Sequence, residues 1–342
     1  MSVPSPRKPA RAKSAAKSPG IPKQPKKPAD RVQRPGPGTF VDGHFNCPTG
    51  SLAYKLYTPI GSARRRLPMV VMLHGCTQSA TDFAAGTGMN TLADELGFLV
   101  LYPEQSKSAN LARCWNWFRP ENQSRGRGEA ASIAGLTREM IVTCKANPAR
   151  VYIAGISAGG TAAAIIGAAY PELFVAVGVH SGLAKGNITS VGAAISAMKS
   201  GGSSGIDTGC GRKRQAPTIV FHGDRDRTIH PSSPESFVRS LRRFSPRLVL
   251  DRTVHVPVGR ARAYTRTVYR KGKGQALLEV WIVHSMGHAW SGGSALGSFT
   301  DPAGPSASRA MMRFFFARKH AASTVRAKAS APKRVRRRSA LA

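Results

Sequence analysis

Two hydrophobic periods alternate along the middle of this chain. Short apolar runs with no polar face occur at 69–73, 98–102, 151–154, 175–179, 218–223 and 277–283. Their length and uniform apolarity fit strands buried on both faces. Helical periodicity fills the intervals. One helix is expected from Ser79 or Thr81 to Leu96, with Phe83, Met89, Leu92 and Leu96 on its apolar face. A second spans about 130–145 and stops at Asn147-Pro148, and a third, made of small residues, spans 160–170. Residues 52–58 alternate like an early antiparallel strand. Residues 265–270 and 277–283, joined by Lys271-Gly272-Lys273-Gly274, read as a hairpin at the sheet edge. The Gly/Ser-rich stretch 200–211 reads as a surface loop. This order predicts an α/β class with a mostly parallel sheet and helices on both faces. No internal repeat is visible, and no apolar run approaches the ~20 residues of a membrane span.

Composition changes the picture at the two ends. Residues 1–37 carry ten Lys/Arg against the single acid Asp30, and residues 321–342 carry seven and no acid. Neither segment has the apolar residues to offset chain entropy, so both are expected to be disordered basic tails flanking one catalytic domain at 38–320. The formal net charge is +34, of which about +18 belongs to the part between the tails. Such a chain is expected to bind polyanions non-specifically, through the tails first; the plainer reading is a solvated basic tail with no selected partner. Met1 is followed by Pro, Arg and Lys rather than a basic start and an apolar core. The pattern of a secretory signal is missing, which favours the cytoplasm and reduced thiols, with export as the alternative. The five cysteines leave at least one unpaired and show no metal spacing.

The chemistry centres on Gly155-Ile156-Ser157-Ala158-Gly159, set between an apolar strand and a small-residue helix. In that context GxSxG makes a nucleophile elbow. The glycines leave room for a crowded turn, and the helix N-terminus faces the reacting centre. A serine nucleophile needs a base, an orienting acid and an oxyanion hole. In the α/β-hydrolase order, acid and then histidine follow the serine. After strand 218–223, Asp224 lies at the strand end, where a turn-capping role is natural. Asp226 lies deeper in a loop anchored by Ile229 and Pro231 and is the expected acid. Among nine histidines, His288 follows Gly287 beyond the last strand and is the expected base. His284 at the strand end, and His222 and His74 before loop glycines, suit packing or loop bracing. Strand 69–73 leads into His74-Gly75-Cys76-Thr77-Gln78. There the Cys76 amide, with Thr77 behind it, is expected to join the Ala158 amide as oxyanion donor, each worth about 3 kcal/mol. The Cys76 side chain also reads as a small buried residue or half of a disulfide.

Seven stretches together resemble the poly(3-hydroxybutyrate) depolymerase-type esterases, an α/β-hydrolase group with feruloyl and acetylxylan esterase-like members. They are Leu73-His74-Gly75-Cys76-Thr77-Gln78, Tyr102-Pro103-Glu104-Gln105, Cys114-Trp115-Asn116-Trp117-Phe118, Gly155-Ile156-Ser157-Ala158-Gly159-Gly160, His180-Ser181-Gly182, His222-Gly223-Asp224-Arg225-Asp226 and Gly287-His288-Ala289-Trp290. The resemblance covers about 38–320. It implies Ser157, Asp226 and His288 as the triad and ester hydrolysis with no metal or organic cofactor. The ester is expected to be a hydroxybutyrate or hydroxyalkanoate oligomer; a feruloyl, acetylxylan or small acyl ester is the alternative. It also places the Trp115–Trp117 loop at the cleft, with Trp290 just after the base. These three tryptophans are candidates to pack on substrate, against the bland reading of ordinary core packing; Trp281, inside a strand, is expected in the core. Cys76 and Cys114 fall in family motifs near the cleft, where a disulfide between them is left open. A rival class is a basic polyanion- or granule-binding protein with a vestigial esterase core. The intact set Ser157, Asp226 and His288 favours the enzyme.

Overall fold

The computed structural model describes residues 38–47, 50–61, 66–186, 188–202, 215–259 and 261–320. The expected basic tails at 1–37 and 321–342, most of the Gly/Ser-rich stretch and Cys210 lie outside the described residues.

Ten strands build one sheet: β1 (Thr39–Cys47), β2 (Gly50–Thr58), β3 (Met69–Leu73), β4 (Leu99–Glu104), β5 (Val151–Ile156), β6 (Ala176–His180), β7 (Thr218–Gly223), β8 (Leu248–Val256), β9 (Tyr264–Lys271) and β10 (Ala276–Val283). Their spatial order is β1-β2-β4-β3-β5-β6-β7-β10-β9-β8. The central six, β4 to β10, are parallel, and an antiparallel pair extends the sheet on each side. The uniform apolarity of the central strands follows from their position. Met69, Val71 and Leu73 of β3 enter one core, and Val70 and Met72 enter the other. Helices α3 (Gly128–Thr143), α4 (Ala158–Ala169) and α6 (Ser233–Phe244) cover the first face. Helices α1 (Ala80–Thr87), α2 (Met89–Leu96) and α7 (Ala307–Phe316) cover the second. Each fully buried Val, Leu, Ile, Phe or Met contributes about 1.5–3 kcal/mol, so both faces hold the sheet.

Two expectations change. The helix expected up to Leu96 is two helices, because Gly88 adopts φ 61° and its amide closes α1 on the Ala84 carbonyl. The expected hairpin is β9–β10, but it does not form the edge. β8 lies outside it, exposed along nearly its whole length, and so had no need of a one-sided hydrophobic pattern. α5 (Val191–Ser200) stands apart from both main cores. It packs through Ala194 and Ala197 on a small cluster with Trp117, Ala158 and Ile229, above the C-terminal ends of the parallel strands. That is the end of an open α/β sheet where ligand sites form.

Candidate active site

Ser157 ends β5 and starts α4 with φ 56° and ψ −122°, a left-handed backbone that is strained for a side-chain-bearing residue. Its amide donates to the His180 carbonyl (2.9 Å), and its own carbonyl accepts from Thr161 (3.0 Å). The flanking glycines are enforced by contact. A Cβ on Gly159 would lie 2.2 Å from the Leu73 carbonyl oxygen, and one on Gly155 would lie 2.5 Å from the Gly159 backbone. The turn therefore presses α4 against β3 and β5 and turns the serine towards the cavity above the sheet.

Asp226 lies in the loop after β7 and is 3% exposed. Its Oδ1 accepts the amides of Thr228 and Ile229, both at 2.9 Å, and its Oδ2 accepts from His288 Nδ1 at 2.8 Å. Burial works to raise the pKa of this carboxyl. The hydrogen bond and charge of His288 and the Ile229 amide outweigh it, so Asp226 is held below the usual carboxylate range. With Nδ1 committed, Nε2 is the nitrogen of His288 left for the cavity it lines together with Ser157. The competing candidates form a pair of their own: His284 Nδ1 meets Asp224 Oδ2 at 2.9 Å, and the Ser285 amide donates to Asp224 Oδ1. That pair is more than a third exposed and takes no part in the cavity wall.

Three amides in the loop after β3 could face an oxyanion. The Gly75 amide donates to Gln78 Oε1 (2.9 Å), and the Thr77 amide donates to the Ala112 carbonyl (2.6 Å). Thr77 is thereby removed as the reserve donor. Cys76 keeps an amide with no acceptor among the described residues, and Ala158, the first residue of α4, does too. Both residues line the cavity. The Cys76 side chain is disulfide-bonded to Cys114, tying the loop after β3 to the loop that carries Trp115 and Trp117.

The cavity encloses about 400 Å³ and is mostly apolar. Trp117, Phe118, Ile195, Met198 and Ile229 line it around Ser157 and His288. Of the three candidate tryptophans it contains Trp117 alone. Trp115 is fully buried against His74, and Trp290 is 1% exposed. Trp290 stacks on His180, lies edge-on to Phe83 and donates to Ser308 Oγ (3.1 Å). Both belong to the core because the loops that carry them turn inward: Asn116 is pulled down by Glu129, and Trp290 opens the small strand β11 (Trp290–Ser291), which pairs with β12 (Thr300–Asp301). Trp281 is buried, as expected of a strand residue.

Several supporting residues carry no motif of their own. Glu129 on α3 accepts from the Asn116 amide and side chain (both 2.8 Å) and from Gln105 Nε2 (2.6 Å), and Gln105 also donates to the Cys114 carbonyl. Burial pushes the Glu129 carboxyl up, against the pull of those hydrogen bonds and of Arg119. His180 lies beneath the elbow with Nε2 accepting the Ser291 amide (2.9 Å). Burial, and then the positive fields of His222 and His288, drive its pKa well below the usual imidazole value and keep it neutral. His222 is also pushed down by burial; its Nε2 donates to the Ile229 carbonyl (3.0 Å) and sits 3.6 Å from Asp226. Among the described residues, no group of three or more His, Cys, Asp or Glu is placed to hold a metal ion.

Comparison with known proteins gives this arrangement relatives. Poly(3-hydroxyalkanoate) depolymerase C of Paucimonas lemoignei is 30% identical over 256 residues, covering 72% of this chain and 60% of that protein. Acetylxylan esterase A of Talaromyces purpureogenus is 29% identical over 208 residues, covering 56% and 53%. The chain thus spans between half and two thirds of these relatives' own length. The solved acetyl xylan esterase from Aspergillus awamori superposes with a TM-score of 0.64 at 20% identity, covering 82% of this chain and 99% of that one, and so shares the α/β-hydrolase fold. The family model described as esterase PHB depolymerase matches residues 52–248, more than half of the 342 residues, and the chain belongs to that family.

Proposed function

We propose that the protein is a serine ester hydrolase acting through an acyl-enzyme, with Ser157 as nucleophile, His288 as base and Asp226 as the acid that orients it. The observation that carries this reading is the buried Asp226–His288 pair lining, through His288, the same apolar cavity as the strained Ser157. In the mechanism His288 Nε2 takes the Ser157 proton as Oγ attacks the ester carbonyl, and the Cys76 and Ala158 amides hold the oxyanion. The alcohol leaves with the proton from His288. A water then enters by the same route and releases the acid.

A polyhydroxybutyrate or hydroxyalkanoate oligomer is the substrate we favour. The apolar wall of Trp117, Phe118, Ile195 and Met198 suits an aliphatic polyester, and the Paucimonas lemoignei relative is named for such a polymer. The acetylxylan esterase relative keeps an acetyl or feruloyl polysaccharide ester as the second reading. The Cys76–Cys114 disulfide supports the exported alternative over a reducing cytoplasm. Polyanion binding by the basic tails remains a separate, secondary proposal. A fluorophosphonate probe should label Ser157 in the wild type and nothing in Ser157→Ala. A panel of p-nitrophenyl esters, hydroxybutyrate oligomers, amorphous polymer, acetylated xylan and feruloyl esters then ranks the substrates; labelling at another residue would sink the assignment.

A further inference from the structure

The catalytic cavity does not end at its aromatic wall. A second groove of about 440 Å³ lies beyond it, lined by Asn110, Leu111, Phe118, Arg119, Pro120 and Val191 among others. Phe118 and Val191 line both spaces, so they are the sill between them. The rim is open and mixed in polarity, with Leu111 90% exposed and Val191 56% exposed beside Thr189 and Ser190. The amide groups in the groove are already committed to the loop itself. Asn110 Nδ2 donates to Asn116 Oδ1, Asn110 Oδ1 accepts the Ala112 and Cys114 amides, and Asn116 is held by Glu129. Arg119 is different. It is exposed, and it forms no ion pair among the described residues. Its role in the loop is made by its backbone, which bonds to Asn116 and Asn122.

An extended ester with its carbonyl at Ser157 and one end over the Phe118–Val191 sill would lay its next unit in this groove, beside a guanidinium that forms no ion pair among the described residues. We propose that the groove is a leaving-group subsite for the terminal hydroxyacid unit of a short polyester chain, whose free carboxylate pairs with Arg119. This rests on the polyester reading given above. When the last ester bond is cleaved, the acyl carbon bonds to Ser157 Oγ and its bond to the alkoxy oxygen breaks. The departing oxygen takes the proton from His288, and a hydroxyacid monomer leaves with its carboxylate on Arg119. The protein therefore trims such chains from the carboxyl end.

The test compares hydroxybutyrate dimer and trimer as free acids and as methyl esters, on the wild type, Arg119→Gln and Arg119→Lys. Wild type should prefer the free acids. Arg119→Gln should raise KM for them about fivefold, the scale of one solvent-facing charge pair, with kcat unchanged. The methyl esters and p-nitrophenyl butyrate should be unaffected, and Arg119→Lys should keep most of the preference. Equal acid-to-methyl-ester ratios in wild type and Arg119→Gln would overturn the subsite while leaving the polyester reading standing. A second arm uses the dimer acid as a competitive inhibitor of p-nitrophenyl butyrate turnover. Inhibition that weakens in Arg119→Gln, with no oligomer hydrolysed, would uphold the subsite and overturn the polyester reading.

Discussion

Two aspartate–histidine pairs stand side by side at the ends of β7 and β10, with nearly equal bond lengths of 2.8 Å for Asp226–His288 and 2.9 Å for Asp224–His284. Their surroundings differ. Asp226 is sealed, its other oxygen holds two backbone amides, and His288 lines an apolar cavity together with Ser157. Asp224 and His284 are each more than a third exposed, and the second nitrogen of His284 meets the Thr265 hydroxyl at 2.9 Å. A charge pair at one distance is worth several times more in a shielded site than in water. Chemistry thus follows from the environment of the pair rather than from the pair.

The strongest way to break this comparison is to neutralise each acid in turn. Asp226→Asn should lower kcat on the order of 10⁴-fold by releasing the histidine tautomer, whereas Asp224→Asn should stay within about threefold. Steady-state kinetics on a small ester decide it, and reversed losses would make Asp224 the acid.

On the proposed mechanism the Asp226–His288 pair also needs the Cys76 loop held in place. Cys76→Ser with Cys114→Ser should lower kcat roughly 10- to 100-fold through loss of alignment and destabilise the fold by about 2–4 kcal/mol. Single-turnover acylation and denaturant unfolding measure the two effects. Unchanged acylation would show that the loop is held by Gln78 and Glu129 alone.

Acid should test the sealed region next. His180 and His222 have depressed pKa values, so the unfolded chain binds protons that the folded chain refuses. Their stabilisation is complete above the unfolded imidazole pKa of about 6.5 and is lost as pH falls below it. Asp226, also depressed, adds a second loss as pH falls through the lower carboxylate range. Urea unfolding across pH 3–8, a range set around those reference values, should therefore show a flatter acid limb in His222→Asn and Asp226→Asn than in the wild type.

The smallest effect concerns stability at neutral pH. Asp224→Asn should cost no more than about 1 kcal/mol, shrinking further in 1 M salt, because exposed pairs are weak and screened. A larger, salt-insensitive loss would mean that the outer pair is structural after all.

What the sequence made legible follows the same division. Ser157, Asp226 and His288 each stand just past an apolar strand, so the strand pattern and the loop position together marked them as candidates, and Asp226 bonds to His288, which shares a cavity wall with Ser157. Trp290 was not legible as core, because proximity to His288 in sequence says nothing of a chain that turns inward at β11. Gly88 breaks one helical pattern into two without disturbing its apolar face, since Met89 and Leu92 remain buried after the break. α5 and β8 left weak traces for a related reason: Val191, Ile195, Val249 and Leu250 are exposed apolar residues, so their elements lack clean amphipathic patterns. Glu129 and Arg119 look like ordinary surface charges until the fold gives one a buried network and sets the other on the wall of a groove.

The loop carrying Cys76 is fastened from far away. Gln78, which accepts the Gly75 amide, donates through Nε2 to the Ser298 carbonyl across 220 positions, and Ser298 in turn bonds to Asp82. Contacts of such separation form late, after loop-closure entropy has been overcome, and slow the final folding step. During synthesis Ser157 is made long before Ser298, which fastens the loop carrying Cys76. On the proposed assignment, a nascent chain would hold the Ser157 turn before its oxyanion donor is steadied, and the onset of ester hydrolysis would mark completion of the fold.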